Sequence, residues 1–546
     1  MLDRIASAAL VLAAAASVYS QPGTVRTVGQ NRSDDPFSLS AGRTFSASSG
    51  KTARPARPSQ PLASSITTDI LDAIAVIRQN HVAGRSLDQN ELTKASVNAM
   101  LKVLDPHSNF YDAAEYDELI GDQKSEYFGT GSTIASYERN GEIGTYIMWT
   151  FPGSASERAG LRFGDKLRSI NGVAVDARSS LAVRDMIRGP RGTSVRVVVE
   201  RDGRDLAVDI KRERIPQPTV TNAFIIGDGV GLIEMPEGFS FTSYSEFDTA
   251  FAALKRAGMT SLILDLRGNP GGVLEQSIKI AEKFLPAGAT IVSQKGRFPL
   301  DSRVWRSNNR AAERLPLIVL VDGESASASE VIAGALQDND RALIVGEKTF
   351  GKGLVQSVLD LPAGTGLTLT TAKYFTPSGR SIQRDYERSG MYDYYNHKES
   401  SNGTQESKVA AYTVTKRQVF GGDGITPDQF APTEQATAAR VAMLDPIFFY
   451  TLEHQGHSAE IIGDETVKEF ARFALSGWGI GNEAVMANAE FVKERLKYNL
   501  SLARSGPKAA REMLLRDDRQ VRTAISAIPK AAAFIKTPRK ADLSIK

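Results

Sequence analysis

Ser261-Leu262-Ile263-Leu264-Asp265-Leu266 runs directly into Arg267-Gly268-Asn269-Pro270-Gly271-Gly272 and then into the amphipathic stretch Val273 to Leu285. A continuous apolar run without alternation reads as a strand covered on both faces. The Gly- and Pro-rich turn ends it, and the spacing beyond predicts a helix. The pattern repeats outward. Gly231 to Met235 reads as a strand, Ser245 to Ala257 as an amphipathic helix, and Leu317 to Val321 as the next buried strand. Ser327 to Gln337 then reads as a helix and Ala342 to Val345 as a strand. This alternation over residues 214–432 predicts an α/β core.

Residues 126–213 have a different texture. Short β-like runs, Gly144 to Phe151, Ser194 to Arg201 and Asp205 to Ile210, are separated by turns. Between them stand Gly153-Ser154-Ala155-Ser156-Glu157-Arg158-Ala159-Gly160-Leu161, then Gly164-Asp165-Lys166-Leu167 and Ile170-Asn171-Gly172. This order of short helix, tight Gly turn, strand and Asn-Gly hairpin resembles a PDZ domain. Such domains add an extended peptide to a sheet edge and hold its C-terminal carboxylate in a nest of amides. Phe128, Gly129, Thr130, Gly131 and Ser132 stand where the resemblance places that carboxylate loop and binding strand. The alternative is a β-domain without a peptide ligand.

The flanks are simpler. Residues 1–20 read as a secretory signal peptide: a short charged start, an Ala/Val/Leu-rich run too short to span a bilayer, then Val18-Tyr19-Ser20. A buried Ala-rich helix is the alternative. Residues 21–64, rich in Ser, Pro, Gly, Thr and Arg, read as a flexible linker. Residues 65–125 begin with helical spacing at Ile70, Ile74 and Ile77, and a second helix carries Leu92, Val97, Met100, Leu101 and Leu104. Residues 433–546 read as a helical extension, basic in its final fifty residues.

Composition narrows the chemistry. The chain has 546 residues, no cysteine and five histidines. That excludes disulfides, thiolate metal sites, iron–sulfur clusters and a cysteine nucleophile, and disfavours a His-rich metal site. No cofactor and no metal are expected. A net charge of +3, from 66 basic and 63 acidic residues, argues against a nucleic-acid partner. No later run is apolar enough for a membrane span. What remains is Ser, Thr, Lys, Asp, Glu or Tyr with a few His. His107, in Asp105-Pro106-His107-Ser108, reads as a turn residue bonded locally, with no evident catalytic partner.

The strongest local signal is Asp322-Gly323-Glu324-Ser325-Ala326-Ser327-Ala328-Ser329-Glu330. A serine between a buried strand and a helix can be an N-cap. It can also be a nucleophile at a helix N-terminus, where amides stabilise an oxyanion. A serine needs a base, and Lys352 in Thr349-Phe350-Gly351-Lys352-Gly353 is the candidate. Desolvation would lower its pKa enough to make it neutral. Gln356, four residues on in a strand-like run, shares its face and could orient it. A phosphate loop is excluded, because Gly-x-x-x-x-Gly-Lys-Ser/Thr is absent.

Three segments, Leu264 to Gly272, Ser325 to Glu330 and Thr349 to Gln356, resemble the C-terminal processing peptidases, or tail-specific proteases, in order and spacing. The resemblance covers about residues 65–432, with the PDZ-like module upstream as in that family. It implies Ser327 as nucleophile, Lys352 as general base and Gln356 as its support. It implies an oxyanion hole from the amide of Ala328 and one of Gly271 or Gly272. Pro270 before the glycines leaves that choice open. It also implies an α/β spiral core of the Clp protease and crotonase class with an inserted PDZ domain. The expected partners are proteins or peptides with apolar C-terminal tails, in the periplasm or another extracytoplasmic space, and an oligomer stays open. The alternatives are a non-catalytic peptide-binding scaffold, which the joint presence of Ser327, Lys352 and Gln356 disfavours, and an acyl-CoA hydratase or isomerase, which explains neither the export signal nor the PDZ-like motif. The 433–546 extension has no counterpart in short members of the family.

Overall fold

The computed structural model describes residues 63–124, 126–386, 394, 409–434, 436–456 and 459–536. The signal peptide, nearly all of the linker and the last ten residues of the basic tail lie outside them. Of the described residues, 63–100 belong to one compact unit and the remainder to a second. The first is built from α1 (Ala63–Asn80) and α2 (Gln89–Lys102), the latter running on into the second unit. Within α1, Ile74 is buried while Ile70 and Ile77 are exposed.

The second unit opens with β1 (Asn109–Tyr111) and α3 (Ala113–Gln123). A β-domain follows. Its strands are β2 (Glu126–Gly129), β3 (Ser132–Arg139), β4 (Glu142–Thr150), β5 (Lys166–Ile170), β6 (Val173–Ala174), β7 (Ser194–Arg201), β8 (Arg204–Lys211) and β9 (Glu213–Pro216). The sheet order is β3-β4-β5-β7-β8, with β6 on β5, and β2 pairs β9 separately. Two helices complete it, α4 (Ala155–Arg158) and α5 (Ser180–Ile187), each started by a serine, Ser154 or Ser179, accepting from a backbone amide. Ile147, Leu167, Ile170, Val195, Val197 and Val199 fill its core. The Gly164-Asp165 pair has a structural role. Asp165 is buried and held at both oxygens by Arg201, Nε at 2.7 Å and Nη2 at 2.6 Å.

The α/β core is a six-stranded sheet. Its strands are β10 (Asn222–Gly227), β11 (Val230–Glu234), β12 (Ser261–Asp265), β15 (Leu317–Val321), β16 (Leu343–Gly346) and β21 (Gln429–Phe430), in that order. All pairings are parallel except β10 with β11. Residues of β11, β12, β15 and β16 alternate between two apolar layers, as strand geometry requires. Leu264, Val319 and Ile344 pack with α6 (Ser243–Arg256), α7 (Leu274–Glu282) and α8 (Ala328–Asp338). Ile263, Ile318, Leu320 and Val345 face the other way. A second sheet joins β1, β13 (Thr290–Gly296), β14 (Arg303–Arg306), β17 (Leu354–Asp360) and β18 (Gly366–Phe375). A small pair, β19 (Val409–Tyr412) with β20 (Gln418–Gly421), lies between β18 and β21 in the chain.

The extension forms α9 (Ala438–Ala442), α10 (Leu444–Glu453), α11 (Asp464–Trp478), α12 (Asn482–Ala487), α13 (Ala489–Asp517) and α14 (Arg519–Lys536). It supplies the missing layer of the core sheet: Val521, Ala524, Ala527 and Ala531 of α14 pack on Ile263, Ile318 and Leu343. At its other end it packs on the β-domain, where Phe448 stacks on Tyr137 with centroids 3.8 Å apart. Between the two, α13 breaks at Gly506 (φ 87), directly before Pro507.

Candidate active site

The strand ends of β12 and β15 bring two loops together. Asp322 is the first tie. Its carboxylate accepts from Gly268 N at 3.0 Å and from Ser325 N at 3.0 Å. Ser325 Oγ donates to Leu266 O at 2.8 Å, and Ser329 Oγ donates to Asn269 Oδ1 at 2.8 Å. Both serines are fully buried, Ser325 bonded to Leu266 just before the Arg267–Gly272 turn and Ser329 to Asn269 within it. Ser327 differs from them. It is half-buried, stands directly before α8, and holds φ 54, ψ −112. A non-glycine residue in that region stores on the order of 1–3 kcal/mol of strain, which the surrounding contacts must hold.

Glu330 holds them. Its carboxylate is fully buried and accepts four hydrogen bonds: Ser327 N at 2.8 Å, Lys352 N at 2.8 Å, Gly351 N at 2.8 Å and Thr349 Oγ1 at 2.5 Å. One side chain thereby fixes the backbone of both Ser327 and Lys352. Burial pushes its pKa up to about 6, against the pull of those hydrogen bonds. The Lys352 ammonium is lowered from its ordinary value by burial, with Asp105 and Glu330 acting the other way.

The Asp105–Ser108 turn lies beside this lysine. Asp105 Oδ1 accepts from His107 N and Ser108 N, both at 2.8 Å, so the local reading of that turn holds. The imidazole nevertheless has a partner: Nε2 lies 2.7 Å from the Tyr394 hydroxyl, and the ring meets Phe350 edge-on at 6.4 Å. Burial first, then the charges of Lys352 and Lys102, push the His107 pKa down to about 2. The ring is neutral. Gln356, on β17, donates from Nε2 to Thr370 Oγ1 at 2.9 Å, and Thr370 N donates to Ser108 Oγ at 3.1 Å. Its hydrogen bond in this structure is therefore to β18, not to Lys352.

Gly271 lies against the serine. A Cβ there would sit 2.8 Å from Ser327 Cβ and 3.0 Å from Ala328 N, and its φ of 102 admits only glycine comfortably. The Gly271 amide donates to Asn269 Oδ1 at 2.9 Å. The amides of Gly272 and Ala328 donate to no other group among the described residues.

In the β-domain, the carbonyls of Thr130 and Gly131 turn inward, accepting from Ser156 N at 2.8 Å and Phe151 N at 2.9 Å. Planar trans peptides then turn the next amides, Gly131 and Ser132, outward. Gly131 has φ 79. Phe128 is 37% exposed, and Gly129 closes the β2–β9 ladder opposite Glu213.

Among the described residues no cluster of three or more metal-ligating side chains occurs, and no helix is long and apolar enough to cross a membrane. Glu330 is not among the residues that the sequence motifs single out. A glutamate three residues after a helix-starting serine is a recognisable capping signal. Its reach to residues 349–352 is not local, and neither is the approach of His107 to Lys352.

Residues 229–388 match the model of peptidase family S41, and residues 147–201 match a PDZ domain model. A carboxy-terminal-processing protease of Bartonella bacilliformis is 35% identical over 301 residues, covering 54% of this chain and 68% of the relative. A carboxyl-terminal-processing protease of Synechocystis sp. is 35% identical over 315 residues, covering 57% and 72%. Among solved structures, the photosystem II D1 C-terminal processing protease aligns at 25% identity with a TM-score of 0.34, covering 68% of this chain and 94% of that one. The chain belongs to peptidase family S41, the carboxy-terminal processing proteases, and is a serine-type peptidase with a PDZ domain.

Proposed function

We propose that Ser327 and Lys352 form the catalytic dyad of an exported endopeptidase that selects proteins by their apolar C-terminal tails. Ser327 Oγ attacks the scissile carbonyl carbon, and its proton passes to the neutral amine of Lys352. The amides of Ala328 and Gly272 receive the oxyanion, since Gly271 already donates to Asn269. The intermediate collapses, the leaving amine takes the proton from Lys352, and water hydrolyses the ester. Gln356 acts one step removed, through Thr370 and the Ser108 turn beside the lysine. The outward amides of Gly131 and Ser132 are suited to a terminal carboxylate, and Phe128, Gly129 and Thr130 frame that loop. Export rests on residues 1–20. The observation that carries the reading is Glu330, which holds the backbone of the half-buried, positive-φ serine and of the lysine on one carboxylate.

The test is turnover of an unfolded protein bearing an apolar tail. Ser327→Ala and Lys352→Ala are each expected to reduce cleavage by about 10³-fold or more with the fold intact by circular dichroism. Wild-type turnover in either variant would overturn the dyad. Equal cleavage of a tail-amidated substrate would overturn the tail reading.

A further inference from the structure

The edge that such a tail would join is not open along its whole length. Strand β3 is the edge of its sheet. Asn140 (φ 56) and Gly141 (φ 81) form the two-residue turn into β4, both left-handed as a type I′ hairpin needs. The flanking pair, Arg139 and Glu142, faces inward and exchanges hydrogen bonds. The next pair, Glu138 with Ile143, therefore points its backbone groups outward. With period two, Glu138, Ser136 and Ile134 present their amides and carbonyls to the free edge.

At Glu138 that edge is already taken. Its amide donates to Asp445 Oδ1 of α10 at 3.1 Å, and its carbonyl accepts from Trp478 Nε1 of α11 at 2.9 Å. Two side chains of the extension thus make the pair of hydrogen bonds a docked strand would make. The closure is firmly built. Tyr137 stacks on Phe448, and the Arg139 guanidinium lies over Phe449 at 5.1 Å and Trp478 at 5.6 Å. No other segment of the described residues bonds the outward groups of Ser136 or Ile134. Ile134 also joins the apolar cluster that includes Val183 and Met186 of α5, so the open part of the edge borders an apolar wall.

We propose that the helical extension sets the length of tail that the PDZ groove reads. A carboxylate at the Gly131–Ser132 amides starts the register. The third residue from the end pairs with Ile134 and the fifth with Ser136, and the seventh finds Glu138 closed. About five C-terminal residues are held as a strand, and the substrate chain must then leave the edge. This rests on the tail-binding reading above.

The test is fluorescence anisotropy of apolar-tailed peptides, three to eight residues long, on the full-length Ser327→Ala protein. Affinity should rise about fivefold for each outward pair gained up to five residues, then change by less than about twofold to eight. The double variant Asp445→Ala/Trp478→Phe frees both Glu138 groups while keeping an aromatic ring in the stack, and should move the plateau to about seven residues. Hydrogen exchange gives a second readout: bound peptide should slow the Ser136 amide and leave Glu138 unchanged. Affinity that keeps rising past five residues in the parent protein, or a plateau that the double variant leaves in place, overturns the proposal while the tail reading stands. Absence of carboxylate-dependent binding at every length overturns both.

Discussion

Three serines stand at alternate positions, and their contacts differ in a way that supports the proposal that Ser327 is the one that reacts. Ser325 and Ser329 spend their hydroxyls on Leu266 and Asn269. Ser327 is left half-exposed at a strained backbone position. Glu330 keeps that position in place, and its removal should be felt as geometry. Glu330→Gln preserves shape but turns an amide donor toward donors, leaving a buried N–H unpaired. We expect a stability loss of roughly 2–3 kcal/mol by chemical denaturation and a kcat loss of about 100-fold with KM little changed. Rescue of kcat by Glu330→Asp would contradict a role that depends on reach. The pH signature has opposite signs in the two readouts. The carboxyl titrates near 6 in the folded chain against an ordinary value of 4.5. Native protein therefore binds this proton more readily, and the group's contribution to stability falls as pH rises from about 4.5 to 6. Activity should rise over the same window, because only the ionised carboxylate can accept all four hydrogen bonds, two at each oxygen, that hold the Ser327 and Gly351–Lys352 backbone. Ser327 and Lys352 stand out in the sequence as candidates because each lies in a short motif with small neighbours. Glu330 and His107 do not, since their partners lie far along the chain.

At the scale of elements, the strands were the most legible part. The expected run Ser194 to Arg201 is β7, and the expected Leu317 to Val321 is β15. Helical spacing likewise located most helices, but not where they bend. Glu483 to Leu502 shows helical apolar spacing throughout, yet it spans two helices, α12 and the first part of α13. The α13 break at Gly506 has a specific cause. Trp149 of β4 packs into it, and a Cβ on Gly506 would lie 2.6 Å from the indole ring. Gly506→Ala must therefore both strain φ 87 and displace the ring. We expect a loss of about 2–3 kcal/mol in unfolding free energy, with Trp149 fluorescence shifted to the red. An unshifted emission and unchanged stability would show that the kink is not held by this contact.

For the whole molecule, the continuous apolar strand Ser261 to Leu266 announced that both faces would be covered, and composition left open what covers the second. That layer is α14, from the extension whose role the sequence did not disclose. The same extension reaches the Arg267–Gly272 turn. Arg267, which starts the turn, is held by Asp265, by Asp518 at 2.9 Å and by Gln520 at 2.7 Å. The described residues of 433–536 are therefore packed against the Arg267–Gly272 turn at one end and against the β3–β4 sheet at the other. The basic character noted in the sequence is partly spent inside: Arg511 pairs with buried Glu234 at 2.6 Å. In the proposed mechanism the base that serves Ser327 must be neutral to work. The most direct measurement of that claim is the pH dependence of single-turnover cleavage in the full-length enzyme and in Lys352→Ala. The enzyme should gain rate through an apparent pKa below the ordinary lysine value of 10.5, in the direction burial drives Lys352, and the variant should lose both the rate and that ionisation. A variant that keeps both the rate and the alkaline ionisation would contradict the account and show that Lys352 is not the base.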